Sequence, residues 1–80
     1  MKTYSEMNAL EYHDTVVEYA NLYASLADGW TAESVLDDFR WCIDSNGGDG
    51  FLETMTADAL EGFADDVMRT IDRIAEGERV

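Results

Sequence analysis

The sequence contains no proline, one cysteine and very few basic residues. The lack of proline suits uninterrupted helices and leaves the turns to glycine and asparagine. A single cysteine, Cys42, excludes a disulfide bond within the chain and is typical of a protein from a reducing compartment. There is also no apolar run long enough for a signal peptide or a membrane-spanning helix. We therefore expect a cytoplasmic protein that does not enter a membrane.

The shortage of basic residues makes the chain strongly acidic. Five lysines and arginines oppose 18 aspartates and glutamates, for a formal net charge of −13. No basic residue occurs from Thr3 to Phe39 or from Trp41 to Met68, so most of the surface must project a negative potential. Phosphate contacts need lysine and arginine, which argues against direct binding to nucleic acid or to an anionic membrane. A partner of this protein should instead be a basic protein surface.

Large apolar residues are nevertheless well represented. Of the 80 residues, 46% are hydrophobic, and they include two tryptophans, four tyrosines and three phenylalanines. A disordered acidic tail would lack such residues, so the chain should fold despite its charge. A chain of this length supplies one hydrophobic core and no more. We therefore predict a single acidic helical domain over residues 1–80.

The clearest helical pattern lies between Thr56 and Gly77. Apolar residues recur there every three or four positions, which places them on one face of a helix and leaves carboxylates on the other. Thr56 is a suitable N-cap and Gly77 a suitable C-terminal stop, so the pattern predicts a helix over residues 57–76. The predicted apolar face consists of Leu60, Phe63, Val67, Ile71 and Ile74.

Two further helices are predicted before this one, over residues 9–27 and 32–45. Asn8 and Thr31 are their candidate N-caps, and Asp28-Gly29 ends the first. The glycine-rich stretch 46–50 is a turn, and Phe51 and Leu52 should then enter the core. Short loops between three helices predict an all-α fold, a small antiparallel three-helix bundle. The first helix carries a heptad-like seam of Tyr12, Val16, Tyr19, Tyr23 and Leu26.

No residue pattern supports catalysis or metal binding. The loop after the second helix fits a calcium-binding loop in neither register, because non-ligating residues occupy the required positions. His13 has no second ligand at metal-binding spacing, and Cys42 lies on an apolar helical face, as a buried structural thiol does. We therefore predict a protein that is not an enzyme, with no catalytic residue, no metal ligand and no cofactor.

The tyrosine seam is open to two interpretations. Its rings could fill the core, with the neighbouring alanines allowing another helix to approach closely. They could equally form a homodimer face, because tyrosine suits surfaces where one end of the side chain stays wet. A dimer would add burial to a small core, so monomer and homodimer both remain open.

The acidic helix faces and one tryptophan are the candidate partner-binding residues. Carboxylates four positions apart on a helix are separated by roughly 6 Å along its axis. A rigid body carrying such regular negative charge can occupy a groove built for a phosphate chain. Simple solubility and adaptation to high salt are the alternative explanations of the charge. The candidates are Glu11, Asp14, Glu18, Asp37, Asp38, Trp41, Asp58, Glu61, Asp65 and Asp72.

In length, acidity, absence of proline and single helical domain, the chain resembles the small acidic anti-CRISPR proteins of phages and prophages that act on type I surveillance complexes. The resemblance implies binding to a basic, DNA-recognising surface of that complex in the cytoplasm of a bacterial host. It implies no catalysis and no cofactor. A second hypothesis is a non-catalytic interaction module, antitoxin-like or regulatory, that binds through Trp41 and the tyrosine seam.

Overall fold

Three helices make up most of the chain, and the last of them packs against the other two. The computed structural model describes residues 3–45 and 50–78. The predicted all-α three-helix bundle is confirmed, with helix ends that differ from the prediction by at most one residue. The helices are α1 (Ala9–Leu26), α2 (Ala32–Ser45) and α3 (Ala57–Ala75), and short 3₁₀ turns lie at Tyr4–Glu6 and Leu52–Thr54.

Each helix begins at the residue predicted to cap it. The side-chain oxygen of Asn8 accepts a hydrogen bond from the Glu11 amide at 2.8 Å. The hydroxyls of Thr31 and Thr56 do the same for the amides three residues further on, at 3.1 and 3.2 Å. These bonds satisfy amide groups that have no carbonyl partner within the first helical turn. The starting points of all three helices are therefore encoded locally.

The end of α3 is also encoded locally. Gly77 has a φ angle of +85°, in the left-handed region that glycine adopts without steric cost. Its amide donates to the Ile74 carbonyl and the Glu78 amide to the Arg73 carbonyl, each at 3.0 Å. This Schellman motif ends the helix and satisfies two of its last carbonyls. The predicted stop at Gly77 is confirmed.

The direction of α2 is opposite to that of its neighbours. Trp30, just before α2, lies in a groove with Ala27 at the end of α1 and Ala75 at the end of α3. Beyond the other end of α2, the Thr54 hydroxyl accepts a hydrogen bond from the Tyr4 amide, ahead of α1, at 3.0 Å. The chain therefore runs up α1, down α2 and up α3, and the N-terminal segment is attached to the turn before α3.

The core is built around a cluster of aromatic rings from all three helices. Phe39 and Phe63 are fully buried and stack with ring centroids 5.5 Å apart. Tyr19 and Phe51 pack their rings against Phe63 at 5.2 and 5.7 Å. Edge-to-face contacts of this kind add to the free energy of burial. The predicted burial of Phe51 and Leu52 is confirmed, and Leu52 begins a short 3₁₀ turn that Phe51 precedes.

One position of the predicted seam is wrong. Leu26 is 64% exposed, whereas Ala20 is completely buried. Heptad spacing drifts around a straight helix by about 20° every seven residues, so the end of the seam turns away from the core. The space beside Tyr23 is taken instead by Trp30, whose ring lies 4.9 Å from the tyrosine ring. The sequence pattern did not identify Trp30 as a core residue.

Candidate functional site

The exposed acidic strip of α3 is the most regular feature of the surface. Its four carboxylates follow at intervals of three, four and seven residues, which places them on one side of the helix. The opposite side carries the buried Leu60, Phe63 and Val67, so the strip faces solvent along its whole length. At 1.5 Å per residue the strip extends roughly 21 Å. Its members, all predicted candidates, are Asp58, Glu61, Asp65 and Asp72.

The acidic candidates of α1 are less uniform. Asp14 and Glu18 are exposed on the outer face, as predicted. Glu11 is half-buried, and its carboxylate accepts a hydrogen bond from the backbone N–H of Asn8 at 3.2 Å. With the reciprocal bond from the Glu11 amide, this completes a capping box at the start of the helix. Glu11 therefore has a structural role in addition to its charge.

The two neighbouring aspartates of α2 have different environments. Asp37 is exposed and lies 3.9 Å from Arg40 in a surface ion pair, which contributes little stability. Asp38 is half-buried and accepts a hydrogen bond from the Tyr23 hydroxyl at 2.5 Å. The expectation that the Asp38 side chain faces solvent is wrong. Asp38 follows Asp37 by one position, which rotates its side chain by about 100° around the helix axis, toward α1. Asp38 thus joins two helices.

A matching bond joins α1 to α3. The Tyr12 hydroxyl donates to the Asp66 carboxylate at 2.6 Å, and Arg69 lies 3.8 Å from the same carboxylate group. Asp66 was not among the predicted candidates. Its role could have been predicted only from two features taken together. One is an aspartate at the edge of the apolar face of α3, and the other is a tyrosine on the helix that packs against that face. Both tyrosine–aspartate pairs place a ring in the core and a carboxylate at its border.

The environment of each pair keeps the phenol protonated. Burial, followed by the hydrogen bond to Asp38 and its charge, raises the pKa of Tyr23 far above its ordinary value of 10. Burial and the bond to Asp66 raise the pKa of Tyr12 in the same way. The pKa of Cys42 is raised too, by burial and then by the charge of Asp38, whose oxygen lies 3.9 Å from the sulfur. None of these groups is thereby activated as a nucleophile or base, since each favours its neutral form.

Two arginines lie close together at one place on the described surface. A groove of about 360 Å³ between α1 and α3 is lined by His13, Arg69 and Arg73. Arg69 pairs with Asp66, and the Arg73 Nε donates to Glu78 at 3.1 Å. The negative surface is therefore not uniform. It is interrupted along this groove. Arg69, four residues after Asp65 and three before Asp72, also places a positive charge beside the α3 strip.

Trp41 is an exposed aromatic residue within acidic surroundings. Its side chain is 65% exposed, and Asp37 and Asp44 lie one helical turn before it and three residues after it. The tyrosine seam, by contrast, points inward: Tyr23 is buried, and Tyr12 and Tyr19 pack against Phe63. Of the aromatic residues predicted to bind a partner, Trp41 is therefore the one that is open to contact, and the tyrosine seam is not.

Sites for other chemistry are not apparent in the described ranges. Within residues 3–45 and 50–78, no three histidine, cysteine, aspartate or glutamate side chains come together as metal ligands. Most of the glycine-rich turn, residues 46–49, lies outside the described residues. Among the helices of the described chain, none has the length and apolar character needed to cross a bilayer.

Comparison of the chain with protein-family models, curated proteins and solved structures finds no match to any of them.

Proposed function

We propose that this protein is a non-catalytic inhibitor that binds a basic, nucleic-acid-recognising protein surface and thereby excludes the nucleic acid. Its specific target is proposed to be the DNA-binding surface of a type I CRISPR surveillance complex. The observation that carries the proposal is the α3 strip, Asp58 to Asp72, in which four exposed carboxylates are held in a row by a helix anchored in the core.

A fixed row of charges suits this role better than a flexible acidic tail. The buried face of α3 holds the strip rigid, so binding does not require the ordering of a disordered segment. The strong negative field of the whole chain would guide the protein to a positive cleft, and the rate of association would fall as salt screens that field. The exposed Asp14 and Glu18 of α1 add to the same field.

The test is competition for target DNA. A type I surveillance complex is incubated with the protein at low salt, and binding of labelled target DNA is followed by a mobility shift. The proposal expects loss of the shifted band and recovery when Glu61 and Asp65 are both replaced by lysine. Replacing Asp14 and Glu18 by lysine makes the same change in net charge outside the strip and should restore less binding. A DNA shift that the unmodified protein leaves unchanged would reject the proposal.

A second candidate function is a regulatory or antitoxin-like module that binds a partner through Trp41. The observation in its favour is the exposure of this large aromatic side chain, since tryptophan is enriched at the energetic centres of protein interfaces. The two functions differ in their response to salt and to substitution. Binding through Trp41 would be insensitive to moderate salt and lost in Trp41→Ala, whereas charge mimicry would be lost in Glu61→Lys combined with Asp65→Lys.

A further inference from the structure

A second groove, which meets the C-terminal end of the acidic strip at Asp72, lies at the end of the bundle where α1 stops and α2 begins. Its volume is about 240 Å³. Small residues at the ends of α1 and α3 and larger apolar side chains both line it. Ile71 is buried there, while Met68 and Trp30 are only partly buried and keep exposed apolar surface. Its apolar lining includes Ala24, Ala27, Trp30, Met68, Ile71 and Ala75.

One wall of this apical groove is held rigid by the fold. The indole nitrogen of Trp30 donates a hydrogen bond to the Tyr23 carbonyl at 2.8 Å, and the ring packs edge-on against the Tyr23 ring. Tyr23 is in turn bonded to Asp38. These contacts hold the Trp30 side chain in place. A group that binds in the groove therefore contacts a preorganised surface and does not have to order the tryptophan.

The charges around the apical groove are of one sign. Asp28 and Asp72 line it, and no basic residue does so within the described chain. The groove between α1 and α3 differs, because Arg69 and Arg73 line it together with Asp66. An occupant of the apical groove should hence combine an apolar body with adjacent positive charge. The groove is smaller than the roughly 300–1,000 Å³ typical of small-molecule pockets, so it fits a side chain better than a cofactor.

We propose that the apical groove binds a cationic amphipathic segment of the partner protein, with a large aliphatic side chain seated against Trp30 and Met68 and a lysine or arginine paired with Asp28 or Asp72. This inference rests on the proposed function only in taking the partner to be basic. The groove adds specificity for one partner, because a purely electrostatic contact distinguishes poorly between basic surfaces. The seated apolar side chain slows dissociation and selects the partner.

The position of the two tryptophans makes the test direct. Trp41 is exposed on α2, and its replacement in Trp41→Phe leaves Trp30, in the groove, as the sole fluorescent indole. The probe is a short helical peptide of leucine and lysine, titrated at moderate salt. Two matched peptides replace all leucines by alanine or all lysines by glutamine. We expect a saturable change in Trp30 emission with the leucine–lysine peptide, and at least about tenfold weaker binding of each matched peptide, a difference of about 1.4 kcal/mol.

Substitutions in the protein test the same geometry. Ala75 is exposed in the last turn of α3, so Ala75→Phe can fill the groove without entering the core and should weaken binding of the leucine–lysine peptide about tenfold. Asp28→Asn with Asp72→Asn should weaken it more than Asp58→Asn with Asp65→Asn, which removes the same charge elsewhere. Thermal unfolding of each variant checks that it remains folded.

Two outcomes would overturn the proposal. One is equal affinity for the leucine–lysine and alanine–lysine peptides, which would mean that charge alone accounts for binding. The other is equal weakening by the two double substitutions, which would place the contact outside the groove. Neither result changes the outcome of the DNA-competition assay, which tests the proposed function. If that assay fails, the peptide titration still tests binding in the apical groove.

Discussion

The hydroxyl of Tyr23 donates a 2.5 Å hydrogen bond to the carboxylate of Asp38, and so connects α1 with α2 at the border of the core. The Tyr23 ring is buried between Phe39 and Trp30, at 5.6 and 4.9 Å. The bond thus fixes both the tyrosine in the core and one wall of the apical groove. It also removes Asp38 from the set of carboxylates that a partner could contact freely.

Removal of the hydroxyl in Tyr23→Phe should destabilise the fold. The ring would remain in place, but the half-buried carboxylate of Asp38 would lose its tyrosine donor and keep only the long contact with the Cys42 thiol, at a cost of about 1–3 kcal/mol. Urea unfolding monitored by circular dichroism measures the change in the free energy of unfolding. Tyr4→Phe is the matched control, since Tyr4 lies at the surface and should change stability little. Equal stability of the two variants would show that the Tyr23–Asp38 bond contributes nothing.

Stability should decrease in alkaline solution. The pKa values of Tyr12 and Tyr23 are raised in the folded protein above the ordinary value of 10, so the folded state retains these protons longer than the unfolded chain. The associated stabilisation is fully present below pH 10 and is lost progressively as the pH rises above it. Urea midpoints at several pH values measure this loss. A Tyr12→Phe, Tyr23→Phe double variant should show a weaker decline over the same range, and an identical decline would contradict the assignment.

The acidic strip of α3 should stabilise one end of its helix and destabilise the other. Asp58 lies in the first turn, where the helix dipole favours a negative charge, and Asp72 lies in the last turn, where the dipole opposes it. Asp58→Asn should lower the free energy of unfolding by about 0.3–1 kcal/mol at low salt, and Asp72→Asn should raise it by a similar amount. Both substitutions remove one negative charge, so a stability change of the same sign and size in both would refute the role of the dipole.

Ala20 and Leu26 of α1 should differ in how strongly a change in side-chain size affects stability. Ala20→Leu places three extra carbon atoms where the alanine is already fully buried, and should cost about 1–3 kcal/mol. Leu26→Ala removes the same atoms from a side chain that is 64% exposed, and should change thermal stability very little. Thermal unfolding by circular dichroism compares them. A large loss in Leu26→Ala would show that the leucine is buried in solution, for example in a homodimer.

Local features of the chain were readable because they depend on neighbouring residues. Asn8, Thr31 and Thr56 cap the helices through bonds that span three residues, and Gly77 ends α3 through its own φ angle. The buried face of α3 followed from a repeat of 3.6 residues over five turns. The exposure of Asp58, Glu61, Asp65 and Asp72 followed from the same repeat, since one face of an amphipathic helix implies the other.

What the sequence by itself determined is the helices, their limits, and the negative charge on their outer faces, because these depend on interactions within about one turn of helix. The tertiary structure alone decided how residues distant in sequence meet. It turned Asp38 toward Tyr23 and Asp66 toward Tyr12, placed Trp30 in the position expected for Leu26, and formed the apical groove from the ends of α1 and α3. Such pairings depend on the rotation of each helix about its axis, and small shifts in that rotation, which no local repeat fixes, select different partners.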